Sequence, residues 1–186
     1  METLDSNNYY HIYNHIVGEG NLFQDDNDYL FFLKQMEKYL FPVSDIVTYC
    51  LMPNHFHIII KPRDIDLTKF SKSGLVVSKR LSHLFNSYAQ AYNKKYQRRV
   101  SLFMRPFKRK RVVNEEYLKK LVHYIHYNPV ESGFVIKVDQ WRFSSYNSYV
   151  SQDSTLISKD YIISLFNDVD NFKYCHTISP NISGID

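Results

Sequence analysis

Residues 9–17, Tyr-Tyr-His-Ile-Tyr-Asn-His-Ile-Val, alternate along the chain and are rich in aromatic and β-branched types, which predicts a strand. Asp25, Asp26 and Asp28 then precede Tyr29 to Leu33, Met36, Tyr39 and Leu40, apolar positions at helical spacing behind an acidic first turn. They predict a helix over about 26–40, ended by Pro42. Asp45–Met52 and His55–Lys61 read as two further strands, with Pro53-Asn54 as the tight turn between them. Residues 67–96 hold no proline and one glycine, Gly74, and place Leu81, Leu84, Phe85, Tyr88 and Tyr92 at helical spacing, so a long helix follows. Val100–Val113 returns to extended structure, with Pro106 marking an edge strand or bulge. Asn114 is a candidate N-cap, and a helix with Glu115 and Glu116 in its first turn is expected to run until Pro129.

Strand, helix, strand, strand, helix, strand, helix is the order of a split βαβ unit. It predicts an α+β, ferredoxin-like antiparallel sheet with helices on one face and an extra helix after the last strand. Residues 136–150, with the single tryptophan Trp141, are expected to pack back on the core. The domain is assigned to 1–150, and 151–186, richer in Ser and Asp, to an appendage with one short helix near 158–167 and a loose tail. A chain of 186 residues is long enough to bury a core without disulfides or a structural metal.

Charge changes this picture. The net of +4 hides a local block: residues 94–111 carry nine basic side chains (Lys94, Lys95, Arg98, Arg99, Arg105, Lys108, Arg109, Lys110, Arg111) and no acidic one. Removing those nine from 23 leaves 14 basic against 19 acidic residues, a net of −5. Tyr96, Phe103 and Phe107 are interleaved with the cations, the composition of a nucleic-acid groove, although Lys and Arg also guard exposed strand edges. Alternate residues of an extended segment point apart, so about half of the block is expected to reach one ligand. Cys50 and Cys175, far apart, make no disulfide framework and suit a reducing, cytoplasmic setting. No basic, apolar leader opens the chain and no run is long enough to cross a membrane.

Two segments carry candidate chemistry. In His55-Phe56-His57 the imidazoles project from one strand face and Phe56 from the other, so the pair can chelate a divalent ion, though such pairs are also common as packed histidines. In Tyr124-Ile-His-Tyr-Asn128-Pro-Val, Tyr124 and Asn128 are four apart and share a helix face. A phenol nucleophile beside an amide oxygen is one reading, an amphipathic helix with packed tyrosines the other. Tyr127 faces elsewhere, and Tyr117 lies two turns back. His123 and His126 could contact phosphate but are read as structural or exposed, and His11 and His15 as packing.

Taken together, Tyr-Cys-Leu-Met-Pro-Asn-His-Phe-His at 49–57 and Tyr-Ile-His-Tyr-Asn-Pro-Val at 124–130 resemble the single-tyrosine HUH transposases, and most closely their REP-associated tyrosine transposase branch. Ser-Leu-Phe-Met-Arg-Pro-Phe-Lys-Arg-Lys at 101–110 and Trp-Arg-Phe-Ser-Ser-Tyr at 141–146 resemble that branch too, so the likeness covers residues 9–150. The resemblance implies an HUH endonuclease-like fold and metal-dependent cleavage and rejoining of single-stranded DNA beside a hairpin. It implies Tyr124 as nucleophile, His55, His57 and Asn128 as ligands of Mg²⁺ or Mn²⁺, and a 5′-phosphotyrosine intermediate. Arg98, Arg99, Arg105, Lys108, Arg109, Lys110 and Arg111 are assigned to DNA. Related enzymes can be homodimers, and no dimer face is marked in the sequence. The competing expectations are a hairpin-binding regulator without catalysis and an RNA- or metal-binding ferredoxin-like domain.

Overall fold

The structure, a computed structural model, describes residues 3–64, 73–151, 155, 157–181 and 183. Four strands, β1 (Tyr9–His15), β2 (Ser44–Met52), β3 (His55–Pro62) and β4 (Lys108–Val112), form one antiparallel sheet in the order β2-β3-β1-β4. β1 is followed by α1 (Asp26–Leu40) and β3 by α2 (Ser73–Lys95), which gives the ferredoxin-like α+β arrangement. The expected start of α2 at residues 67–72 lies outside the described residues.

One face of the sheet is apolar by strand alternation. Phe56, Ile58 and Ile60 of β3 and Tyr10 and Ile12 of β1 are buried there, and Phe56 meets Phe32 of α1 and Phe85 of α2 at ring distances of 5.2 and 5.3 Å. α1 opens with a capping box in which the Asp25 side chain accepts from Asp28 N and the Asp28 side chain from Asp25 N. Asp28 also accepts from Lys95 and Tyr96, both at 2.8 Å, so the start of α1 is tied to the end of α2.

The opposite face carries α3 (Glu115–Glu131), the extra helix after the last strand. Its N-cap is Asn114, whose side chain accepts from Tyr117 N. The expectation that α3 stops at Pro129 is corrected: Pro129 sits inside the helix. A proline this close to the end removes a single intrahelical donor. The turn closes as a Schellman motif, with Gly133 (φ 73°) donating to Val130 and Phe134 to Pro129. Asn128 stays helical, its carbonyl accepting from Ser132 N at 2.9 Å.

Beyond α3, residues 143–145 lie along the outer edge of β2: Leu51 N donates to the Phe143 carbonyl and Ser145 N to that of Tyr49. Trp141 donates from its indole to the Leu51 carbonyl at 3.0 Å. The C-terminal segment differs from the single short helix expected. After α4 (Tyr146–Val150) it forms α5 (Asp160–Leu165) and α6 (Val169–Cys175), and Ile162, Phe166 and Phe172 join the same hydrophobic core as the sheet. Val169–Cys175, seven residues long, is too short for a helical period to announce it, and its start depends on the Asp168 side chain accepting from Asn171 N. The extended stretch expected over 100–113 is interrupted: Phe103 bridges Ile16, and regular pairing resumes only at Lys108, past Pro106. Cys50 and Cys175 are both free thiols. Among the described residues no helix is long and apolar enough to cross a membrane.

Candidate functional site

Alternation on β3 turns His55 and His57 away from the α1/α2 layer, towards α3. From the neighbouring strand β1, His11, Tyr13 and His15 face the same side. His15 is paired with His55 and stacks on it at 4.8 Å, and Tyr13 is paired with His57. The imidazole planes of His55 and His57 stand nearly perpendicular with centroids 5.1 Å apart. Each has its Nδ1 held: His55 Nδ1 lies 2.7 Å from Asn54 Oδ1, and His57 Nδ1 lies 2.9 Å from His11 Nε2.

α3 lays Tyr124 and Asn128 over this pair. The Tyr124 ring meets His57 edge-on at 5.7 Å. Asn128 is buried, and its side chain lies near enough to both His55 and Tyr124 to bear on their titration. The four residues singled out in two distant segments therefore share one locus. Tyr127 of the same helix turns instead to His123, and Tyr117 lies under Lys110.

Burial dominates the titration of these groups. It pushes His55 down to about 4, assisted by His15 and opposed by the Asn128 side chain, and holds His57 well below the ordinary histidine value, with His11 adding to the shift. His11 is pushed to about 3 by burial and by Lys110. Tyr124, half-buried, is raised by desolvation and by Glu131, while Asn128 pulls it back.

The donor chemistry fits a divalent cation. Both imidazoles are neutral at neutral pH, so they offer lone pairs without first losing a proton. With each Nδ1 engaged, Nε2 is the nitrogen left to coordinate, and the partner on Nδ1 fixes the ring's orientation. The Asn128 amide supplies a neutral oxygen beside them. Among the described residues no set of three His, Cys, Asp or Glu side chains converges as a metal cluster, so the third donor would be that amide.

The basic block divides between the two faces. Lys108 lies over the Tyr13 ring at 5.7 Å and Lys110 over Tyr117 at 5.6 Å, both on the histidine side. Arg109, one residue out of phase, donates to Ser78 of α2 at 2.9 Å, and Arg111 shares its side of the strand. Arg98 packs on the Tyr92 ring, Arg99 is exposed beyond the end of α2, and Arg105 is exposed before β4.

One partner at the site was misread in the sequence, and one histidine read there as structural or exposed proves structural. His11 is the partner of His57 rather than a packing residue. His126 is buried behind Tyr124 in a closed network: His176 donates from Nδ1 to the Phe172 carbonyl, which leaves its Nε2 to accept from His126 Nδ1 at 3.1 Å. His126 Nε2 then accepts a hydroxyl proton from the Thr48–Ser145 pair, whose oxygens lie 2.7 and 2.8 Å from it and 2.8 Å from each other. α6, α3 and β2 are joined in this way directly beneath the nucleophile candidate.

A ferredoxin-like sheet with paired histidines facing a helix-borne tyrosine defines a class to which known proteins can be compared. No protein-family model matches the chain. A protein of Haemophilus influenzae named as a REP-associated tyrosine transposase is 25% identical over 111 residues, covering 59% of this chain and 62% of the relative, under two thirds of its length. In fold the chain is similar to a REP-associated tyrosine transposase solved bound to a REP hairpin, with a TM-score of 0.53, 19% identity, and coverage of 86% of this chain and 93% of that one. The chain thus resembles the REP-associated tyrosine transposases in sequence and shares their fold.

Proposed function

We propose that the protein is a single-stranded DNA transposase and endonuclease that cuts and rejoins a strand beside a hairpin through Tyr124. The observation that carries this reading is the meeting of the Tyr124 ring with the His55/His57 pair, with the buried Asn128 side chain beside both. The similarity to REP-associated tyrosine transposases, one of them solved with a REP hairpin, supports a hairpin-bearing DNA as partner.

In the proposed reaction the Tyr124 oxygen forms a bond to a backbone phosphorus and the bond to the preceding 3′ oxygen breaks. The phenolic proton is given up and the leaving 3′ oxygen takes up a proton. The product is a 5′-phosphotyrosine and a free 3′ hydroxyl. One phosphodiester linkage replaces another, so attack by a 3′ hydroxyl on the same phosphorus restores the strand with no added energy source. α3 supplies rigid aim: its buried face anchors in the core through Leu118, Leu121, Val122 and Ile125, and the His126 network fixes its rotation. A divalent ion, Mg²⁺ or Mn²⁺, held by His55, His57 and Asn128 would neutralise phosphate charge and favour the phenolate. Lys108 and Lys110, on the same face, would receive the flanking phosphates, while Arg98, Arg99, Arg105, Arg109 and Arg111 would meet DNA from the other side of the strand or beyond α2.

The test is to incubate the protein with Mn²⁺ or Mg²⁺ and a labelled hairpin oligonucleotide with single-stranded flanks, and to look for a denaturation-resistant adduct. Wild type should form it, and Tyr124→Phe should form none. Equal adduct from Tyr124→Phe would remove this tyrosine as nucleophile, and hairpin binding without adduct under either metal would mark a regulator instead.

A further inference from the structure

On the α3 face of the sheet, the register aligns His57 of β3, Tyr13 of β1 and Lys108 of β4 in one row across three strands. Directly opposed residues of antiparallel strands stand about 5 Å apart, so the three side chains rise next to one another. The Tyr13 ring lies along His57, with centroids 6.0 Å apart and planes 20° from parallel. Lys108 Nζ, from the strand on the other side, lies 5.7 Å from the centre of the same ring. Two phenols therefore flank His57, Tyr13 along the ring and Tyr124 edge-on at 5.7 Å.

What sets Tyr13 apart is its hydroxyl. Tyr88, Tyr92 and Tyr149 spend theirs on main-chain carbonyls, and Tyr96 on the Asp28 carboxylate. The half-buried Tyr13 has no hydrogen-bond partner for its hydroxyl among the described residues, although a tyrosine O–H out of full solvent ordinarily finds one. Its neighbours on β1 are committed elsewhere: His11 holds His57 through Nε2, and the His15 ring lies on His55, whereas Tyr124 meets His57. A phenol is longer than an imidazole. From adjacent positions on one face, the Tyr13 oxygen thus stands out past the His57 ring, where a phosphate held for attack by Tyr124 presents its oxygens. Lys108 sets a positive charge beside it.

We propose that Tyr13 is a second catalytic tyrosine, its hydroxyl donating a hydrogen bond to a non-bridging oxygen of the phosphate that Tyr124 attacks. Tyr13 forms no covalent bond and keeps its proton. The bonds made and broken remain those of Tyr124, and the donor stabilises the charge that grows on the phosphate oxygen in the transition state. The inference rests on the proposed cleavage through Tyr124, and the comparison of wild type with one variant separates the two. The full chain and Tyr13→Phe are compared for the rate of covalent adduct formation on a flanked hairpin oligonucleotide with Mn²⁺. Affinities for the same DNA and for Mn²⁺ are measured separately. Phenylalanine keeps a ring against His57 and removes only the oxygen, so the sheet and the histidine pair are left as they are.

Tyr13→Phe should form adduct about a hundredfold more slowly, the range for removing one donor aimed at developing charge, while both affinities keep their wild-type values. The scissile phosphate is then prepared with sulfur in place of one or the other non-bridging oxygen. Sulfur accepts hydrogen bonds weakly, so on one of the two diastereomers wild type and variant should react at nearly the same rate. A wild-type rate in the variant, an equal penalty on both diastereomers, or a matching loss of Mn²⁺ or DNA affinity would make Tyr13 a packing residue and leave the Tyr124 reading standing. If wild type forms no adduct, the Tyr124 reading itself falls and this inference falls with it.

Discussion

His57 is held from behind by a second histidine, and this contact decides how well its other nitrogen is aimed. The His11 Nε2 to His57 Nδ1 distance of 2.9 Å fixes the ring, and partners of this kind are worth about ten- to a hundredfold in metal affinity. His11→Phe should therefore weaken Mn²⁺ binding by about that factor, read from the free-ion signal in a paramagnetic resonance titration. An unchanged dissociation constant would leave His11 a packing residue. Strand alternation alone says that His11 and His15 share a face and that His55 and His57 share a face. That His11 meets His57 depends on the register of β1 against β3, where Tyr13 is opposite His57 and His11 one step along the diagonal. Register is a property of the assembled sheet, so the sequence shows the histidines but not their pairing.

At the scale of elements, α3 was legible at its start and misleading at its end. Asn114, Glu115 and Glu116 are the expected opening. Pro129 reads as a stop, yet the helix runs to Glu131 because a proline in the last turn forfeits little and the Schellman closure recovers the terminal carbonyls. Gly133, left-handed at φ 73°, is what makes that closure possible. A Cβ there would touch nothing within 4 Å, so the cost of Gly133→Ala is conformational only. Urea denaturation should show a loss of about 1 kcal/mol, and a neutral result would mean the helix end relaxes into another turn.

For the molecule as a whole, two long-range properties follow. The first is acid sensitivity. His176 takes up a proton near 6.5 when unfolded but is pushed by burial to about 3 in the fold, with the neighbouring His123 adding to the shift and the hydrogen bond to Phe172 opposing it. Between those values the unfolded chain binds a proton that the native state refuses. Its contribution to stability is therefore complete above about 6.5 and is lost as the pH falls towards 3, by at most ~1.4 kcal/mol per pH unit. Thermal melts from pH 7.5 to 4.5 should show a falling midpoint and a shallower fall in His176→Gln; parallel slopes would exclude His176 as a source. The second property is salt dependence. Lys108 and Lys110 share the face of Tyr124, so replacing both by alanine should flatten the dependence of single-stranded DNA affinity on salt. The slope of log affinity against log salt should fall by about 0.7 for each phosphate that is no longer neutralised. An unchanged slope would place the strand elsewhere.

The buried relay through His126 also bears on where the chain can be cut. Phe172 and His176 close over α3 from the C-terminal side, so a version shortened to 150 residues would leave the back of the tyrosine-bearing helix wet and His126 short of a hydrogen-bond acceptor. The minimal folded unit is thus larger than the stretch that carries the recognisable motifs: Phe172 and His176 are part of the clamp that holds the Tyr124-bearing helix in place.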